Sequence, residues 1–145
     1  MYSQVLKKLS QKTALTFPPT TQEKLAKLRM NLVRNKLPPL PADYIKFLQQ
    51  TDGLSWNGIR FFGVEEHDRA QRSYTFPSLL KINLDFAKRN RPVSFLILGD
   101  KDEDLIVYDE KQDLYYLVDK MDLISDLSLP RFFDVLYLFT QDYIG

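Results

Sequence analysis

The stretch from Leu40 to Gly63, LPADYIKFLQQTDGLSWNGIRFFG, constrains the fold of this chain most, and it carries none of the groups that usually do chemistry. Pro41 suits the first position of a helix, where a missing amide donor leaves no bond unmade. Behind it Tyr44, Phe47 and Leu48 follow helical spacing, and Gly53 stands where a left-handed helix stop is wanted. The second half is extended. Apolar segments flank Asn57 and Gly58, a pair that accepts positive φ at both central positions and therefore predicts a hairpin. Trp56 falls beside that turn. A lone tryptophan there reads first as a packing residue, with a partner-contact anchor as the alternative.

The flanking sequence supplies the elements this stretch packs against. Tyr2 to Gln11 has the spacing of a short amphipathic helix, and Phe17 to Pro19 breaks it. Thr20 and Glu23 have the spacing of a capping box for a second helix. Leu25, Leu28, Leu32 and Val33 share one face of it, and Lys24, Lys27, Arg29 and Arg34 fall largely elsewhere. Leu37 to Pro41 reads as a rigid connector rather than a polyproline ligand. Val64 to Phe76 has no clear period and is expected to be a long excursion or a short helix. From Pro77 to Arg91 the spacing predicts a helix with Leu80, Leu84 and Ala87 on its stripe. The segments VSFLILGD, DLIVYDE and LYYLVDK predict an antiparallel meander, with Tyr115 and Tyr116 on opposite faces. A last helix is expected from Pro130, with Phe132, Phe133, Leu136 and Phe139 or Thr140 on neighbouring positions. Together these predict an α+β domain, an antiparallel sheet with N-terminal, inserted and C-terminal helices packed around it. A length of 145 residues fits one such domain, residues 1–145.

Composition narrows the chemistry. There is no cysteine, so disulfides, thiolate nucleophiles and zinc–thiolate sites are excluded together, and the cytoplasm is the natural setting. No run reaches the roughly 20 apolar residues that span a bilayer, and the amino terminus lacks the pattern of a signal peptide, so no membrane partner is expected. The net charge is +1, but Met1 to Leu48 holds nine Lys or Arg against two acidic residues, whereas Gly99 to Asp126 holds ten acidic against three basic. Either these are ordinary solvated faces or the surface is dipolar and steers a charged partner. The basic side chains come without interleaved stacking aromatics, which argues against direct nucleic-acid binding.

The best candidate for catalysis is the only histidine, His67, in the run Glu65, Glu66, His67, Asp68. One histidine flanked by acids is ordinarily a solvated loop residue, and metal ligation would need donors from elsewhere. No phosphate-binding glycine loop or nucleophile elbow is present. The run GDKDED at Gly99 to Asp104 alternates carboxylates but lacks the glycine and distant glutamate of an EF-hand, and predicts a solvated hairpin turn. No metal or cofactor is expected. Asp100, Asp102, Glu103 and Asp104, with Trp56, are the candidate contacts for a protein partner.

The order and spacing of Leu40, Pro41, Asp43, Tyr44, Phe47, Leu48, Gly53, Phe62 and Gly63 resemble the signature of the SUKH superfamily, which includes cell-wall synthesis regulators and bacterial immunity proteins. The variant GLSWNGIRFFG, with PSLLKINLDF and the later strands, is similar to the YrhA-like branch, and the resemblance runs from Leu37 onward, leaving residues 1–36 as N-terminal helices. It implies an α+β fold that presents a surface to a protein partner, in bacterial members often a secreted toxin domain that is neutralised by occlusion. A regulatory or scaffolding interaction domain is the second expectation, and a small hydrolase using Glu65, Glu66 or Asp68 the third. The chain departs from the pattern at Asp52, where many members carry Asn, and in being nearly neutral.

Overall fold

The computed structural model describes residues 2–11, 14–69, 74–89, 94–125 and 127–144, without the side chains of residues 69, 74 and 142–144. Lys12, Asn90, Arg91, Val93, Asp126 and residues 70–73 of the Val64 to Phe76 stretch lie outside them. The order is α1 (Tyr2–Ser10), β1 (Leu15–Thr16), α2 (Gln22–Arg34), α3 (Ala42–Leu48), β2 (Leu54–Trp56), β3 (Ile59–Phe61), β4 (His67–Arg69), β5 (Tyr74–Phe76), α4 (Leu79–Arg89), β6 (Phe95–Lys101), β7 (Asp104–Asp109), β8 (Leu114–Asp119), β9 (Leu127–Leu129) and α5 (Phe132–Ile144). Seven strands form an antiparallel sheet in the order β1-β2-β3-β6-β7-β8-β9, while β4 and β5 pair separately. With helices around that sheet, the fold is α+β.

The opening stretch folds as helix, turn and hairpin. Asn57 and Gly58 take φ of 51° and 82°, the positive values a two-residue hairpin needs. Tyr44, Phe47 and Leu48 are completely buried. Phe132 of α5 is the common neighbour of three aromatic rings, with centroids 4.8 Å from Tyr44, 5.0 Å from Phe47 and 5.1 Å from Phe61. The Tyr44 hydroxyl reaches the carbonyl oxygens of Phe62 and Leu98, tying α3 to the place where β3 leaves β6. Burial raises this phenol far above its ordinary pKa, with the Asp52 charge adding to the effect. Asp43 accepts from the Phe132 amide at 3.3 Å, so a residue of α3 satisfies a free N–H at the start of α5.

Several elements depart from the sequence expectations, each for a local reason. Pro41 is the N-cap rather than the first helical residue, in extended backbone, with its carbonyl accepting from Ile45. Gly53 has φ +109° but lies beyond the end of α3, where the chain turns into β2. The cap of α2 is Thr21, whose hydroxyl accepts from the Lys24 amide, so the Thr20–Glu23 box does not form. Thr20 Oγ1 is instead buried without a partner among the described residues. Val33 is 77% exposed and does not join Leu25, Leu28 and Leu32 in the core. The described residues of the Val64 to Phe76 stretch contain the strands β4 and β5 rather than a helix. The edge strands β1 and β9 are two and three residues long, too short for alternation to announce them.

The buried residues of α4 are Leu79 and Asn83, whereas Leu80 and Leu84 are half-buried and Ala87 is exposed. Asn83 lies inside because β3 pairs only with Gly99, Asp100 and Lys101 of β6. Beyond that point Asn83 acts as a strand would, accepting from the Ile97 amide at 2.8 Å and donating to the Ile97 carbonyl at 2.9 Å. A buried backbone left without these bonds would be costly.

Candidate protein-binding surface

Register brings the candidate contacts to one end of the sheet. Trp56 pairs with Ile59, Ile59 with Lys101, Lys101 with Asp104 and Asp104 with Asp119. Directly opposed residues project from the same face. Asp104 shares its face with Tyr108, four residues along β7. Tyr108 meets Tyr115, and Tyr115 meets Phe132 of α5, so this is the face α5 covers. The row therefore runs from apolar to acidic. Trp56 and Ile59 are buried, the Lys101 ammonium sits 5.1 Å over the Phe139 ring, and Asp104 and Asp119 are half-exposed.

The loop after β8 extends the acidic end. Asp119 accepts from the Met121 amide at 2.7 Å and the Asp122 amide at 3.3 Å, and Asp122 accepts from the Ile124 amide at 2.9 Å. These local bonds satisfy the loop's own backbone, the usual role of Asp in turns. They leave Met121 87% and Ile124 69% exposed, with Leu127 of the edge strand at 37%. Lys120 joins the loop to the β6–β7 turn, its amide donating to the Glu103 carbonyl and its ammonium to the Asp102 carbonyl. A shallow cavity of about 290 Å³ opens between Asp104, Leu117, Asp119, Asp122, Ile124 and Leu127. The surface is thus an exposed apolar patch beside Asp102, Glu103, Asp104, Asp119 and Asp122. None of these five carboxylates is ion-paired among the described residues.

Two of the sequence candidates lie elsewhere in kind. Trp56 packs in the core, although its hairpin turn adjoins Asp102, since a side chain at Gly58 would come 3.7 Å from the Asp102 carboxylate. Asp100 belongs to β6 rather than to a solvated turn and is 8% exposed. It holds the guanidinium of its cross-strand partner Arg60 through two bonds of 2.9 and 2.6 Å, with Lys120 3.8 Å away. Met121, Ile124, Asp119 and Asp122 escaped the site reading of the sequence. Their signal is a run of apolar residues interleaved with acids directly after a strand.

The histidine is not a solvated loop residue. His67 stacks on Phe17 with centroids 4.1 Å apart, and its Nε2 lies 2.9 Å from Asp52 Oδ2 and 3.1 Å from the Asp52 carbonyl oxygen. Both neighbours are acceptors, so Nε2 carries a proton. Asp52, 2% exposed, also accepts from the Val64 and Glu65 amides at 2.7 and 3.1 Å. Gly63 permits this approach, because a Cβ there would lie 2.2 Å from the Asp52 carbonyl oxygen. The neighbouring acids turn to different partners: Glu65 pairs with Lys24 at 3.0 Å, and Asp68 accepts from Thr75. Among the described residues no group of three or more His, Asp or Glu is arranged to hold a metal ion. No described helix is long and apolar enough to cross a membrane. No family model matches this chain, and no curated protein matches it.

Proposed function

We propose that this chain is a non-enzymatic protein-binding module of the SUKH type, acting in the cytoplasm as an immunity protein that neutralises a secreted toxin domain by steric occlusion. The observation that carries the proposal is the coincidence of five carboxylates without an ion pair among the described residues with Met121, Ile124 and Leu127 exposed at one end of the sheet. Exposed apolar side chains supply contact area, and the carboxylates favour a basic partner and speed its encounter. The patch is held from below by the β7–β8 ladder and by the Lys120 bonds, so little ordering is required on binding.

The test is capture from the native lysate with the chain as bait, repeated with the variant Glu103→Lys, Asp104→Lys. A single stoichiometric basic protein, toxic when expressed alone, harmless when co-expressed with the chain and lost with the variant, supports the immunity function. Stoichiometric regulatory or envelope-synthesis proteins without toxicity favour a scaffold instead. Capture unaffected by the charge reversal removes the acidic patch from the proposal.

A further inference from the structure

Six large hydrophobic residues are exposed among the described residues, and five of them fall into two clusters of opposite charge. Met121, Ile124 and Leu127 lie in the acidic patch. Met30 and Val33 lie on α2, 55% and 77% exposed, and with Ala26 they form a stripe at i, i+4 and i+7 on the side away from the core. Lys27 and Arg34 flank that stripe on one side and Arg29 on the other, and none of the three is ion-paired among the described residues. The stripe continues into a cleft of about 660 Å³ that Val64 and Leu80 also line. An apolar stripe edged by cations is the chemical complement of an apolar patch edged by carboxylates.

We infer that the α2 face of one copy docks on the acidic patch of a second copy. Both surfaces are exposed in the folded chain, α2 packing beside α4 and the patch bordering β9, so a contact between them joins two molecules. Such a contact is heterologous, joining head to tail, and it grows into a ring or a chain rather than a closed two-fold dimer. Both patches are small compared with a standard interface, so the association is weak, and charge makes it sensitive to salt. Self-association and partner binding then compete for the same carboxylates, whatever the partner is.

Sedimentation velocity on the full chain tests this. At low salt the weight-average mass rises with concentration from 17.1 kDa to beyond twice that value, and high salt returns it to the monomer. Lys27→Glu with Arg34→Glu, and separately Glu103→Lys with Met121→Lys, each abolish the rise while both variants still unfold cooperatively as folded chains. Mixing these two variants brings back association only as far as a one-to-one pair, about twice the monomer mass, because each offers the surface the other lacks and neither can extend the chain. Val33→Asp, which reverses no charge, weakens association on its own. A wild type that stays at the monomer mass at every concentration and salt overturns the inference, leaving the α2 face to a different partner. So does association that survives reversal of α2, or a mixture of two folded variants that remains monomeric.

Discussion

Asp52 and the acidic patch use the same functional group in opposite ways. Asp52 is shut inside the molecule with three donors on two oxygens: the amides of Val64 and Glu65 and the His67 ring nitrogen. Asp102, Glu103, Asp104, Asp119 and Asp122 stand together with one ammonium, Lys120, in their midst. Asp100 shows how sharp the division is: it is two residues from Asp102, yet it is buried against Arg60. The lesson is that burial against its donors, and not its place in an acidic run, separates a carboxylate that holds the fold from one available to a partner: Asp119 accepts two loop amides and still stands half-exposed.

The largest test of this comparison is Asp52→Asn. An amide presents one acceptor oxygen where the carboxylate presented two, so in either orientation its NH2 group faces a donor. We expect a loss of about 2–4 kcal/mol in urea unfolding, since a buried donor is orphaned and a charge-assisted bond removed. A loss below about 0.5 kcal/mol would show that the hub tolerates a missing acceptor, and the comparison would fail. The next effect is smaller and concerns a neutral hub. Asn83→Leu removes both bonds to the Ile97 backbone and is expected to cost about 2–3 kcal/mol. Tyr44→Phe leaves the Phe62 carbonyl without its hydroxyl donor and is expected to cost about 1–2 kcal/mol, read by the same unfolding experiment.

These residues also mark where sequence reading stops. The α3 helix, the Asn57–Gly58 hairpin and the β6–β7–β8 meander are legible because periodicity and turn chemistry are local. Asn83 is misplaced by the same logic, since a helical stripe is chosen by hydrophobicity, while this polar residue is drawn inside by a backbone gap 14 residues away. The pairing of His67 with Asp52 across 15 residues has no local signal, and neither does its stacking on Phe17. A carboxylate at position 52 suits the protonated ring nitrogen 2.9 Å away, a match that shows only in the folded chain. At the acidic patch Asp102, Glu103 and Asp104 are legible as a run. The row to Asp119 depends on strand register, and the exposure of Met121 and Ile124 on the bonds that the Asp119 and Asp122 side chains make to the loop backbone, neither of which sequence spacing carries.

The smallest expected change has the opposite sign, and that makes it the sharpest prediction. Five carboxylates close together repel one another in the folded chain more than in the unfolded one, with Lys120 offsetting part of that. Glu103→Lys replaces one of them with a cation on a residue whose side chain is exposed and whose carbonyl, bonded to the Lys120 amide, is untouched. We therefore expect urea unfolding at low salt to show a gain of up to about 0.5 kcal/mol, the scale of exposed charge interactions. Added salt removes the gain, because screening relieves the same repulsion in the wild type. Binding of a basic partner weakens in the same variant. A patch whose members stabilise the fold when removed and bind less well without them is kept for recognition, at a cost in stability that the buried Asp52 never imposes. If Glu103→Lys instead destabilises as Asp52→Asn does, the acidic turn belongs to the architecture, and the distinction between the two regions disappears.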